Sequence, residues 1–172
     1  MRKTFYISIF IFVFNGIANA QITGQLFQNE SEIPGIEIYF KNSEQKVESD
    51  FDGYFKLPIP KGNEKDVLIL SGFGITIEIQ DVEIDTTKID LGKIEFPAFK
   101  SIKINEYDKL TESEKENCNP IYHWTQLLGY FYTGKLEKDY LTLNCNQEIT
   151  NSEYNSVNKT IKVDWNTIRN CK

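Results

Sequence analysis

Between residues 22 and 96, apolar and polar side chains alternate with a period of two. Ile22, Gly24 and Leu26 alternate with Thr23, Gln25 and Phe27, and Ile36, Ile38 and Phe40 alternate with Glu37, Tyr39 and Lys41. A period of two places one set of side chains on a buried strand face and the other toward water. The spacing therefore predicts strands over 22–27 and 36–40. Pro34 and Gly35 turn the chain between them, since Pro cannot donate to a ladder and Gly accepts turn geometry. A hairpin is predicted over 46–57, where Asp50-Phe51-Asp52-Gly53 sets Asp-Gly between two alternating segments. Strands over 67–70, 75–79 and 88–96 follow, separated by Gly72, Gly74 and an acidic stretch at 81–85. Short strands with turn signals at this spacing predict a β-sandwich. If 22–27 lies at a sheet edge, it can accept a strand from a partner.

The pattern changes after Pro97. One more strand fits 99–104, and Thr111 with Glu114 has the spacing of a capping box, which predicts a short helix over 112–118. Ile121, Trp124, Leu127, Leu128 and Phe131 recur at three- and four-residue intervals, predicting an amphipathic helix that ends at Gly134. Alternation returns over 139–145 and 160–168, two segments expected to pair as neighbouring strands. The stretch 97–172 thus reads as a small α+β appendage, marginal as a core of its own and expected to dock on the sandwich.

The chain begins differently. Arg2 and Lys3 precede an apolar run at 5–14, and Ala18-Asn19-Ala20 precedes Gln21, the arrangement of a cleaved secretory signal. The run is broken at Asn15 and Gly16, short of the roughly 20 apolar residues that cross a bilayer. The expected organisation is a signal peptide at 1–20, a sandwich at 21–96 and an appendage at 97–172, with no transmembrane segment in the mature chain. Composition agrees with a folded core: 40% of the 172 residues are apolar and 13% are aromatic. Lys and Arg number 19 against 25 Asp and Glu, a net charge of −6. Losing Arg2 and Lys3 leaves 17 basic residues and a net charge of −8. Such a surface repels phosphate backbones, so a nucleic-acid partner is not expected.

Four motifs in order carry a family resemblance. They are Ile22-Thr23-Gly24, Ile33-Pro34-Gly35-Ile36-Glu37-Ile38, Ser49-Asp50-Phe51-Asp52-Gly53-Tyr54-Phe55 and Val67-Leu68-Ile69-Leu70-Ser71-Gly72-Phe73-Gly74. Together they resemble the carboxypeptidase-regulatory-like family over 21–96. The resemblance implies a mainly β fold, a transthyretin-like (prealbumin-like) Greek-key β-sandwich, followed here by the α+β appendage. It implies an exported, non-enzymatic interaction module with no catalytic residues of its own. Such modules accompany metallocarboxypeptidases, precede TonB-dependent outer-membrane receptors, or stand alone. The expected setting is the periplasm, cell surface or medium of a Gram-negative type of cell, with an envelope protein or glycan as partner. No cofactor is expected, and the oligomeric state is left open.

Candidate chemistry is sparse. Asp50 and Asp52 could offer oxygens to calcium, although turn chemistry explains both. His123, the sole His, follows Cys118 by five residues, and a thiol with an imidazole base would make a small extracytoplasmic thiol enzyme or redox protein. With Cys145 and Cys171 the same two residues could form a zinc set, but gaps of 26 and 27 residues are unlike the close ligand pairs of structural zinc sites. One disulfide is the favoured use of three cysteines in an oxidising compartment. The preferred pair is Cys145 with Cys171, on the expected pairing of their strands, which leaves Cys118 as a free thiol. A serine triad and an H-E-x-x-H metallopeptidase are excluded by motif and by the single His. Tyr130 and Tyr132, off the expected helical stripe, are the candidate binding surface.

Overall fold

The alternation of the first half is realised as eight strands, β1 (Gln21–Gln28), β2 (Ser31–Glu32), β3 (Glu37–Phe40), β4 (Lys46–Glu48), β5 (Tyr54–Pro58), β6 (Lys65–Gly72), β7 (Ile75–Glu83) and β8 (Lys88–Glu95). The second half adds β9 (Phe99–Ile102), α1 (Ile104–Tyr107), α2 (Glu112–Lys115), β10 (Cys118–His123), β11 (Gln126–Leu136), β12 (Leu141–Thr142), β13 (Glu148–Ile149), β14 (Glu153–Asn155), β15 (Thr160–Asp164) and α3 (Trp165–Arg169). The computed structural model describes residues 20–60, 64–84, 88–138, 141–142, 148–149 and 153–169. The expected signal peptide, Cys145 and Cys171 lie outside the described residues.

The protein is mainly β, a sandwich of two sheets. In one sheet β1 is central, antiparallel to β5 from Gln21↔Pro58 to Gln25↔Tyr54 and parallel to β8, with β2 at its far end. The other sheet runs β14-β15-β7-β6-β3-β4. Their inner faces join in one buried cluster that includes Ile22, Leu26, Ile38, Phe40, Leu57, Leu68 and Leu70. Each such side chain contributes on the order of 1.5–3 kcal/mol by leaving water.

Two expectations for this half are corrected. First, 46–57 is not a hairpin: β4 pairs with β3 and β5 with β1, so the Asp-Gly turn carries the chain from one sheet to the other. The turn chemistry itself is as read, with Asp50 Oδ1 accepting from the amides of Asp52 at 3.1 Å and Tyr54 at 2.8 Å. Its partners are set by tertiary bonds that alternation does not encode. The Leu26 amide donates to the Gly53 carbonyl at 2.9 Å, and the buried Ser49 hydroxyl donates to the Ile33 carbonyl at 2.8 Å. Second, 22–27 is not an open edge, because β5 and β8 occupy both sides of β1.

The second half departs further. The residues expected as a helix over 121–131 form the antiparallel β10–β11 hairpin, paired from Cys118↔Tyr132 to His123↔Gln126 with a one-residue register shift between Ile121 and Tyr122. The three- and four-residue stripe counted only five apolar positions. Tyr122 and Tyr130 between them, and Tyr132 and Thr133 just beyond, are strand formers, and Trp124-Thr125 is the two-residue turn. Gly134 lies inside β11 rather than ending an element. The capping box is present, with the Thr111 amide donating to Glu114 Oε2 at 2.8 Å, but α2 stops at Lys115 because Cys118 already opens β10.

The strand expected over 160–168 is split into β15 and α3. Asp164 Oδ1 accepts from the Asn166 amide at 2.7 Å, a local bond of the kind that starts helices. Both sides of β15 are occupied, by β7 in parallel and by β14 antiparallel. Within 139–145 the described pair β12 lies against β13, so among the described residues the expected pairing of 139–145 with 160–168 is not seen. Ile161, Val163, Trp165 and Ile168 are buried in the same cluster as the first-half strands. The C-terminal strand therefore continues the sandwich across the division expected at residue 96.

Candidate functional site

Residues 99–136 fold back as a second, smaller sheet in the order β10-β11-β9, with α1 and α2 between β9 and β10. Close approach makes it: a Cβ at Gly129 would lie 2.6 Å from the Ile102 carbonyl oxygen, so β9 and β11 meet only because position 129 has no side chain. At Gly134 a Cβ would lie 2.7 Å from the Tyr132 ring, so the glycine gives that ring its place along β11.

Tyr130 and Tyr132 are both half-buried. Tyr130 stacks on Tyr107 of α1, with centroids 3.9 Å apart and planes within 10°. The Lys115 ammonium lies 5.7 Å from the Tyr107 ring centre. Desolvation, then the neighbouring phenols of Tyr107 and Tyr122, hold the Tyr130 hydroxyl above the ordinary phenol range. One face of Tyr130 is therefore already taken by an intramolecular partner.

The exposed apolar side chains lie elsewhere on the same hairpin. Trp124 is 89% exposed, Tyr122 60%, Leu128 54% and Phe131 44%. Trp124 holds the first position of the two-residue turn with φ +56, a conformation that tight hairpin turns usually give to Gly, Asn or Asp. Its ring meets His123 edge-on at 6.4 Å. The helical reading placed Trp124 in a core stripe and so missed it. A rule that looked for two strand-forming segments on either side of a two-residue break would have found it.

On the side of Phe131, a half-open cavity of about 230 Å³ separates the small sheet from the sandwich. Phe73, Ile75, Phe99 and Phe131 line it, and Gln28 closes one wall by donating from Nε2 to the Pro97 carbonyl at 2.9 Å. Phe73 is itself exposed at φ +49 in the β6–β7 turn and meets Phe96 edge-on at 6.4 Å.

The thiol-and-imidazole pair is not assembled. Cys118 and His123 occupy opposite ends of β10, roughly 16 Å apart at the rise of a strand, far outside hydrogen-bond reach. The Cys118 thiol donates to the Glu114 carbonyl at 3.5 Å. Burial, then the Glu114 charge, raises its pKa above the usual thiol range, the reverse of an activated nucleophile. Cys118 has no disulfide partner among the described residues. Among the described residues, no three His, Cys, Asp or Glu side chains are grouped so as to hold a metal. The other two members of the zinc set, Cys145 and Cys171, and therefore their pairing, lie outside the described residues.

No family model matches the sequence, and no curated protein matches it. Two crystal structures are similar in part: a C-terminal and an N-terminal interface mutant of a type II cohesin–X-dockerin complex from Acetivibrio cellulolyticus. Each matches at 14% identity and a TM-score of 0.37, over 43% of this chain and 52% of the other. The match thus spans about half the length of those chains, and a likeness at this level defines neither fold nor function here.

Proposed function

We propose that this chain is an exported, non-enzymatic binding module of the bacterial envelope that engages a protein partner through the β10–β11 hairpin. The observation that carries this reading is Trp124, exposed at 89% on a backbone with φ +56. Neither core burial nor turn preference accounts for a tryptophan there, and strain of this kind concentrates at functional sites. Tyr122 and Leu128 extend the apolar surface beside it. Aromatic side chains of this type supply most of the energy of protein interfaces.

The export signal and the carboxypeptidase-regulatory-like motifs support the setting, and a two-sheet sandwich is the architecture that resemblance implies. The enzyme alternative needs Cys118 and His123 together, and the strand keeps them apart. The test is a quantitative pull-down from Gram-negative envelope extract using the wild-type chain and Trp124→Ala in parallel. The proposal expects one reproducible protein whose recovery falls at least about tenfold with Trp124→Ala, an interface hot spot. Equal recovery by both chains would contradict it.

A further inference from the structure

The outer face of the sheet centred on β1 carries six polar or amphipathic side chains in two rows. Register sets Tyr54, Gln25 and Lys93 side by side across β5, β1 and β8, and Lys56, Thr23 and Asp90 side by side two residues along. An open groove of about 320 Å³ lies over five of them, Thr23, Gln25, Tyr54, Asp90 and Lys93, at the lower end of the range for small-molecule sites. A register shift makes the groove. Between Thr23 and Gln25 the pairing with β8 slips by one residue, and Gly92 sits in the slip at φ +65. The floor between Asp90 and Lys93 is consequently bare backbone.

The polar groups around this floor are held in place before any ligand arrives. Asp90 Oδ1 accepts from the Gly92 amide at 3.0 Å and from the Thr23 hydroxyl at 3.4 Å. Gln25 Nε2 donates to the Asp52 carbonyl at 2.8 Å, which orients its amide oxygen. The Lys93 ammonium sits 4.8 Å from the Phe27 ring centre. Tyr54 stands over half exposed, although the neighbouring Phe55 is buried. Preorganised groups of this kind lower the ordering cost of binding.

The chemistry of the grid selects a class of ligand. One carboxylate and one ammonium group lie among a hydroxyl, an amide and a phenol, so donors and acceptors alternate and no single-sign patch forms. A phosphate or polyanion meets Asp90 and the net charge of −6, whereas a cation meets Lys93. An apolar ligand would leave the fixed polar groups unpaired. A pyranose ring meets every requirement, with a C–H face for the Tyr54 ring and a rim of hydroxyls that both donate and accept. We propose that this groove binds a pyranose unit of a glycan, stacked on Tyr54 and hydrogen-bonded to Asp90 and Gln25. The site goes beyond the protein-binding reading and shares no residue with the hairpin.

Saturation-transfer NMR and calorimetry on the purified full chain test it, with cellohexaose, xylohexaose, maltohexaose and chitohexaose as probes. The proposal expects saturation transfer to at least one of them at about 10 mM or below. Affinity falls at least about tenfold in Tyr54→Ala and in Asp90→Ala, each with an unchanged melting curve, and is unaltered in Trp124→Ala. Failure of all four probes overturns the proposal. So does binding that survives both groove substitutions, and binding lost only with Trp124→Ala would move glycan recognition to the hairpin.

Discussion

Gly53 is a residue whose replacement the fold tolerates poorly. Its φ is +73, and an added Cβ would collide with the Leu26 carbonyl oxygen, which accepts from the Ile33 amide at 3.1 Å. Gly53→Ala is expected to cost at least about 2 kcal/mol, read as a lower urea midpoint at unchanged slope. Cys118 makes the opposite kind of statement, about reactivity. Because burial and then Glu114 raise its pKa, the thiolate is scarce near neutrality and grows only as pH climbs past the ordinary thiol range. Mass-resolved alkylation at Cys118 should therefore be slow at pH 7 and should accelerate with a midpoint above that of a free cysteine. A midpoint below it would reopen the thiol-enzyme reading. The turn residues were legible in the sequence through their local bonds, Asp50 to the Asp52 and Tyr54 amides and the Gly53 amide to the Asp50 carbonyl, whereas the fit of Gly53 against Leu26 was not.

Elements were legible where a local signal and the tertiary context agreed. The β1, β3, β6, β7 and β8 segments combine alternation with Gly or Pro punctuation, and the Thr111–Glu114 box starts α2 as its spacing implies. The 118–136 hairpin was not legible, because five apolar residues at helical spacing coexist with a run of aromatic and Thr residues at strand spacing. Tertiary pairing decided between them: Tyr130 faces Ile102 of β9 on one side and Pro120 of β10 on the other. The turn of this hairpin trades stability for an exposed ring. Trp124→Gly should raise stability by up to about 1 kcal/mol, since Gly accepts φ +56 without strain, while partner recovery is lost. A destabilised Trp124→Gly variant would show that the ring serves the fold instead.

At the scale of the whole molecule, the C-terminal strand matters more than its position in the chain suggests. The β15 strand covers β7 in parallel, and parallel pairing between residues 76 and 160 has no local signature to read. Ile161 is 2% exposed within the common core, so Ile161→Ala should cost about 2–5 kcal/mol. Leu136 at the end of β11 is buried in that core as well, which ties the small sheet to the sandwich. In a Trp124→Phe background, thermal unfolding followed by Trp165 fluorescence and by Cys118 labelling should accordingly give coincident midpoints, whereas separated midpoints would mean two independently folding units. The proposed binding surface follows the same logic, since the exposed aromatics became visible only once the hairpin replaced the helix. The most direct measurement of the central claim is site-specific photo-crosslinking in the full chain, with the crosslinker at position 124 and, as an equally exposed control, at position 51. A single recurrent protein captured from 124 and absent from 51 is the expected result. Capture of nothing from 124, or of the same proteins from both positions, would contradict the account.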